Sequence, residues 1–310
     1  MPSQPAQTLK DFEFPWNWTH RSRVTTSKRL GIRVSWRILM KRIDTARWFL
    51  VAAIIGGFVC AALPARADDW SKTYPISGKP DLHVDTSDAN IHVSTWEQNT
   101  IEARVTTVRY KIGDDGIRIE EHQSGDMVEI NVHFPHHGIT INLGSSSRLN
   151  VDIRMPREGR MDLHTGDGKI EVGNFKGEMI LRSGDGSQEI TNVDGNLRAI
   201  TGDGNIRADG RFDELDLKTG DGRLDAHALN GSAITSGWKL ETGDGTVTLE
   251  VPDNLAADVD LHTGDGHIDL EMPVTTEGKI REGEVRGKLN GGGKLLMIHT
   301  GDGSIRLRKG

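Results

Sequence analysis

The chain has 310 residues, of which 37 are glycine, and aromatic residues make up only 5% of it. A large aromatic core is therefore excluded, and Val, Ile, Leu and small residues must form the interior. Residues 1–67 contain 11 Lys and Arg and 3 Asp and Glu, which leaves 27 basic and 42 acidic residues and a net charge of −15 on residues 68–310. So acidic a segment is repelled by nucleic acid, and we expect no nucleic-acid partner.

Residues 40–67 have the three-part pattern of a secretory signal peptide. A basic stretch from Lys41 to Arg47 precedes the apolar run Trp48 to Leu63, and an A-x-A motif ends at Ala67. The run has 16 residues, fewer than the ~20 that a membrane-spanning helix needs. We therefore predict a helical signal segment that is cleaved after Ala67. A retained membrane anchor is the alternative, and membrane contact is expected only through this segment.

Residues 1–39 show no periodicity and precede a second methionine, Met40. We expect either an unstructured region upstream of the signal or a start at Met1 that is placed too early. Cys60, the one cysteine, follows Val59 rather than the small residue that a lipoprotein signal requires, so lipidation is not expected. Cleavage after Ala67 would leave a chain without disulfides.

The next segments are predicted to lead into a sheet. Residues 68–78 are expected to be a linker, and residues 79–160 to supply irregular strands that cap the N-terminal end of the sheet. Alternating apolar residues predict strands over Ile101–Val108, Met127–Val132 and Leu149–Pro156. No helix is expected after the signal peptide.

A Gly-Asp-Gly turn recurs through residues 161–310, with successive spacings of 18, 18, 18, 23, 21 and 37 residues. The last gap holds a degenerate copy around Arg281–Val285. We predict a structural role for the turn glycines, which are Gly166, Gly168, Gly184, Gly186, Gly202, Gly204, Gly220, Gly222, Gly243, Gly245, Gly264, Gly266, Gly301 and Gly303.

The residues around each turn form columns, apolar and variable in alternation. A hydroxyl residue precedes every turn: Thr165, Ser183, Thr201, Thr219, Thr242, Thr263 and Thr300. Two places before it the residue is always apolar: Leu163, Leu181, Ala199, Leu217, Leu240, Leu261 and Ile298. Two places after the second glycine it is apolar except at Gln188: Ile170, Ile206, Leu224, Val247, Ile268 and Ile305. We expect these columns to point inward and the variable ones to face water.

Two architectures can place such turns. Glycine permits a positive φ and Asp can bond to the backbone two residues on, so each turn could be a hairpin tip in an antiparallel meander. Alternatively, each period is one coil of a solenoid whose columns stack at the ~4.8 Å strand spacing. Stacking explains the hydroxyl column, whereas a meander does not. The predicted fold is an all-β, single-stranded β-solenoid (β-helix) of about 18–20 residues per repeat over residues 79–310.

The T-G-D-G-x-I repeats after an export signal resemble the putative-adhesin β-strand-repeat family of exported bacterial proteins. The resemblance begins at Asp81–Val93, a degenerate first turn, and ends with Gly291–Lys294 and Ile298–Ile305. It implies a β-solenoid and an adhesin-like role, without an established activity. Many relatives have Ser where this chain has Asp in the turn.

The turn aspartates are the first candidate site: Asp167, Asp185, Asp203, Asp221, Asp244, Asp265 and Asp302. Stacked carboxylates ~5 Å apart repel one another by about 1 kcal/mol, and we expect solvent and turn amides to offset this. The alternative is Ca²⁺ held between coils, as in Gly- and Asp-rich β-rolls. The nine-residue pattern of those proteins is not matched here.

Histidines form the second candidate. His133, His136 and His137 cluster near His122, but their spacing fits no standard metal site and no cysteine assists them. We expect surface-loop residues. His164, His262 and His299 belong to an outward column. No cofactor is expected.

Catalysis needs a unique constellation, whereas the acids of this chain recur identically. No nucleophile elbow or phosphate-binding loop is present. The sequence therefore favours a non-enzymatic, exported binding or scaffold protein, periplasmic or at the cell surface, with an envelope protein or a glycan as its partner. The alternatives are a Ca²⁺-binding repeat protein and a polysaccharide-acting β-helix enzyme.

Overall fold

The computed structural model describes residues 67–108, 110–113, 116–134, 149–276 and 283–310. The predicted signal helix and the region before it lie outside these residues. All regular elements of the described part are strands, so none of them is a helix that could span a membrane. The strands are β1 Ala67–Pro75, β2 Asp81–Thr86, β3 Asn90–Trp96, β4 Thr100–Val108, β5 Arg118–Ser124, β6 Met127–His133, β7 Leu149–Pro156, β8 Glu158–Thr165, β9 Ile170–Gly173, β10 Lys176–Ser183, β11 Gln188–Ile200, β12 Ile206–Lys218, β13 Leu224–Ala228, β14 Trp238–Thr242, β15 Val247–Val251, β16 Ala257–Thr263, β17 Ile268–Leu270, β18 Val274–Thr276, β19 Glu284–Leu289, β20 Leu295–Thr300 and β21 Ile305–Lys309.

The strands form two stacks joined at the Gly-Asp-Gly corners. The entry stack, whose repeat strands lead into the corners, runs β5, β6, β2, β8, β10, the second half of β11, the second half of β12, β14, β20, β16, β19, β18. The exit stack, whose repeat strands leave the corners, runs β1, β4, β7, β3, β9, the first half of β11, the first half of β12, β13, β15, β21, β17. Because the repeat strands pair in parallel, the structure is solenoid-like and the meander is excluded.

The predicted inward columns lie between the two stacks. Leu163, Leu181, Leu217 and Leu240 are fully buried, each above its counterpart in the neighbouring coil. Gln188 keeps the inward orientation of its column, with 1% of its surface exposed, and its Nε2 donates to the carbonyl of Ile200 at 2.7 Å. The backbone thus satisfies the amide nitrogen, whereas Gln188 Oε1 is buried without a hydrogen-bond partner among the described residues.

The order of coils departs from chain order at both ends. The β2–β3 coil lies between β6–β7 and β8–β9. The last coil of the chain, β20–β21, lies between β14–β15 and β16–β17. Each terminal coil therefore has a parallel neighbour on both sides, which buries its apolar residues more fully than an end position would.

Two predictions about connecting segments are wrong. Residues 68–78 are not simply a linker, because β1 pairs along its length with β4 and buries Tyr74 to 1% exposure. The copy proposed around Arg281–Val285 is not a coil: Arg281 and Glu282 lie outside the described residues, and β19 runs antiparallel to β16. Both segments supply antiparallel strands near the ends of the stacks. The described residues between 79 and 160 contribute strands to both stacks, among them Thr100–Val108, Met127–His133 and Leu149–Pro156.

Candidate functional site

The corner hydroxyls tie one coil to the next. Thr219 Oγ1 accepts the N–H of Gly222 at 3.2 Å, and it lies 2.8 Å and 3.1 Å from the carbonyl oxygens of Gly204 and Gly202 in the adjacent coil. Thr242, Thr263 and Thr300 repeat these contacts. All seven hydroxyls of the column bond to a carbonyl of the neighbouring coil, and five of them, Ser183, Thr219, Thr242, Thr263 and Thr300, also accept an N–H of their own turn.

The turn glycines are required for a different reason from the one predicted. None of them has a φ in the left-handed region. A Cβ on Gly222 would instead lie 2.0 Å from the carbonyl oxygen of Gly204, and one on Gly245 would lie 1.8 Å from that of Gly222. The N–H of Gly220 also donates to the carbonyl of Gly202. Close approach of the coils, and not turn geometry, excludes a side chain here.

The seven turn aspartates all lie at the surface of the corner edge. Their carboxylates form no hydrogen bond to their own turns in the part of the chain that the structure describes; the related Asp88 accepts the N–H of Asp167 at 3.3 Å. Across those described ranges, no three His, Cys, Asp or Glu side chains converge as metal ligands would. The carbonyls of Gly202 and Gly204, which could assist a cation, already accept inter-coil hydrogen bonds.

A second corner, which the sequence analysis missed, lies at the opposite ends of the strands. Asn174 and Asn192 have φ values of 60° and 53°, and Asn192 Nδ2 donates to Asn174 Oδ1 at 2.6 Å. Gly177 and Gly195 follow three residues later with φ of 137° and 131°. An Asn-x-x-Gly motif repeated at 18 residues was the available signal, because Asn and Gly are the residues that best tolerate positive φ.

Outward side chains form straight rows along both stacks, and ion pairs link the coils. One exit-stack row consists of His92, Glu171, Glu189, Arg207, Asp225, Thr248, Arg306 and Asp269. Lys169 Nζ lies 2.5 Å from Glu171 and 2.8 Å from Glu189, and these hydrogen bonds raise the pKa of Lys169. Arg182 contacts Asp162 of the adjacent coil at 2.7 Å.

The second corner carries another of these networks. Arg211 bonds to both carboxylate oxygens of Asp213 at 2.7 Å and to Asp194 of the adjacent coil at 2.5 Å. The hydrogen bonds from Arg211 lower the pKa of Asp213, and those to Asp213 and Asp194 raise the pKa of Arg211.

The histidines are spread over the surface. His136 and His137 lie outside the described residues, whereas His122 and His133 pair in register with other residues on β5 and β6. His262 and His299 are neighbours across two coils, with ring centroids 5.8 Å apart. His164 lies on a distant coil and bonds to Asp85 at 3.0 Å.

A notch interrupts the outward face of the entry stack. It is a shallow groove with a volume of about 370 Å³. The connection before β14 is five residues longer than in an 18-residue period, since the turns at 220 and 243 are 23 residues apart. As a result Gly237 occupies the row position between Glu214 and Leu295, where no side chain fills the surface.

Comparison with known proteins gives a family and several distant structures. The Toastrack DUF4097 model matches residues 76–308. A putative cell adhesion protein from Clostridium sporogenes is 14% identical, with 79% of this chain and 100% of that one covered and a TM-score of 0.39. A putative adhesin from Bacteroides fragilis is 9% identical, with 77% and 97% covered and a TM-score of 0.43.

A putative lipid-binding protein from Parabacteroides distasonis is 12% identical, with 77% of this chain and 96% of that one covered and a TM-score of 0.39. A search of curated protein sequences finds no match. The family match spans the two stacks and their corners almost completely. The chain therefore belongs to the Toastrack DUF4097 family.

Proposed function

We propose that this chain is a non-enzymatic binding or scaffold protein of the cell envelope, exported to the periplasm or the cell surface, whose partner is an envelope protein or a glycan. One observation carries the binding role: stacking sets outward side chains in rows that continue over eight coils, such as the row from His92 to Asp269. Rows of this kind favour an extended partner that makes many small contacts.

The arrangement of acids supports a non-catalytic role. A general acid and a general base need different surroundings, because their pKa values must differ. Each corner carries the same exposed carboxylate, so no pair of these carboxylates is distinguished in this way. The ion pairs of the outer faces link coil to coil and are partly exposed. They stabilise the stack and leave the rows charged.

Export rests on the basic, apolar and A-x-A pattern of residues 40–67. N-terminal sequencing of the protein recovered from cell fractions tests it. We expect a chain that begins at Asp68 in the periplasmic or surface fraction. An intact N terminus in the cytoplasm would overturn the proposed location.

Binding is tested with the mature protein, immobilised and exposed to solubilised envelope proteins and to envelope polysaccharides. We expect saturable binding. Two triple variants to Ser are compared, one of Arg207, Arg223 and Arg306 on the exit stack and one of Arg160, Arg182 and Arg198 on the entry stack. Only the variant on the face that binds the partner should weaken binding. Absence of binding, or turnover of a polysaccharide that one acidic substitution abolishes, would contradict the proposal.

A further inference from the structure

The notch at Gly237 differs chemically from the rest of the entry stack. One wall is apolar, because Leu295 is 43% exposed and Met297 lies beside it. The opposite wall is acidic and consists of Glu214 and Asp216. The floor is Gly237, so an incoming group can contact both walls together.

Glu214 is held in place and lacks a cation. Ser236 Oγ donates to Glu214 Oε1 at 2.6 Å, which orients the carboxylate. No Lys, Arg or His of the described ranges lies within ion-pair distance of Glu214, whereas Asp216 is 3.3 Å from Arg198. Lys239, the nearest base in the notch, is directed to Glu241 at 2.9 Å. The notch therefore offers one positioned negative charge beside exposed apolar surface.

We propose that this notch binds a Lys or Arg side chain of a protein partner, with its alkyl stem against Leu295 and Met297 and its cationic head on Glu214. Long basic side chains bury their stems on apolar surface in this way while the charge stays near water. The inference rests on the proposed binding function and specifies the chemistry of the partner.

The probe is N-acetyl-lysine amide, titrated into the ¹⁵N-labelled mature protein and followed by NMR. We expect saturable shifts of the Gly237 and Lys239 amides, and binding weakened about threefold in Glu214→Gln, since an exposed ion pair contributes a factor of about 1.4 to 5. N-acetyl-norleucine amide, which has the stem without the charge, should bind more weakly. Equal binding of the two probes would overturn the cationic assignment.

Gly237→Leu should be tolerated by the fold, because a Cβ there meets only the carbonyl oxygen of Leu295, at 3.7 Å. The leucine side chain should fill the notch and abolish the probe-induced shift of the Lys239 amide. Asn196→Leu adds the same side chain to the row position on the far side of Glu214, outside the residues that line the notch, and should leave probe binding intact. If Gly237→Leu misfolds, Leu295→Gln tests the apolar wall instead. Retained probe binding in the filled notch would refute the site.

Failure of this site and failure of the proposed function can be separated. If Gly237→Leu no longer binds the probe but binds the envelope partner with unchanged affinity, the notch does not contact that partner, and the wider proposal still stands. Absence of any envelope partner for the unaltered protein would reject the function itself.

Discussion

At the scale of single residues, the T-G-D-G corner is governed by the distance between coils. The second glycine of each turn lies against a carbonyl of the next coil, and the hydroxyl of the preceding Thr bonds to that same carbonyl. A carbonyl held in this way cannot move aside for a methyl group. The aspartate between the two glycines faces solvent and is the one position of the motif without such a restraint.

Gly222→Ala is therefore expected to destabilise the protein by about 3 kcal/mol, because its Cβ would lie 2.0 Å from the carbonyl oxygen of Gly204. Urea unfolding of both proteins measures the difference. The matched control is Gly237→Ala, which should change stability by no more than about 0.5 kcal/mol because its nearest atom is 3.7 Å away. Equal losses in the two variants would contradict the close-packing account.

The Arg211–Asp213 pair gives a pH-dependent contribution to stability. The folded pKa of Asp213 lies below its ordinary value of 3.8, so the pair's contribution is present above that value and is lost as pH falls through the folded pKa. Because the Asp213 side chain is 35% exposed, we expect Asp213→Asn to cost less than about 1 kcal/mol at neutral pH.

The difference between the unaltered protein and Asp213→Asn should shrink as the pH is lowered below about 4, in urea unfolding measured across the pH range. In a protein that already carries Arg211→Gln, the effect of Asp213→Asn on the free energy of unfolding should no longer depend on pH in this way. If the same pH dependence persists in the Arg211→Gln protein, a group other than Arg211 is responsible.

At the scale of strands and coils, the C-terminal coil is an internal part of the stack. The N–H of Val247 in β15 donates to the carbonyl of Ser304 at 3.0 Å, and β16 pairs with β20 along Asp258–Thr263. Removal of β20–β21 would thus expose coils on both sides. In a solenoid stacked in chain order, the same deletion would affect one neighbour only.

We expect truncation after Leu289 to release the Val247 amide to rapid hydrogen exchange and to loosen Leu261, which is fully buried in the intact chain. The amide of Ile206, which donates to the carbonyl of Arg223 at 2.9 Å, should stay protected as an internal reference. Deletion of β1, which among the described strands pairs with β4 alone, is the control and should leave Val247 protected. Protection of Val247 in the truncated chain would contradict the inserted order.

At the scale of the whole molecule, the corner edge bears a row of exposed carboxylates, and the described residues around them do not converge as the ligands of a metal ion would. Ca²⁺ takes six to eight oxygen ligands, and the glycine carbonyls beside these aspartates accept hydrogen bonds from the next coil. The edge is therefore suited to solvent and to diffuse counterions.

We expect millimolar CaCl₂ to leave the thermal unfolding temperature of the mature protein unchanged relative to an equal ionic strength of NaCl. Calorimetry measures this. A saturable rise with CaCl₂, abolished in an Asp203→Asn, Asp221→Asn double variant, would restore the Ca²⁺-binding alternative.

The sequence by itself determined the periodic features of this protein. An 18-residue spacing, a hydroxyl column and two apolar columns were sufficient to predict the solenoid, its inward residues such as Leu217, and its outward ones such as His164, because each depends only on neighbours one period away. The degenerate first turn over Asp81–Val93 followed from the family resemblance, and in the structure its residues form the β2–β3 coil.

Only the tertiary structure decided what depends on contacts across many periods. The insertion of β20–β21 leaves no local trace, because its strands have the same pattern whichever coils they lie between. The strand from Ala67 to Pro75 forms because β4 offers an unpaired edge. The notch at Gly237 likewise depends on register, because the pairing of β12, β14 and β20 places a glycine in the outward row between Glu214 and Leu295.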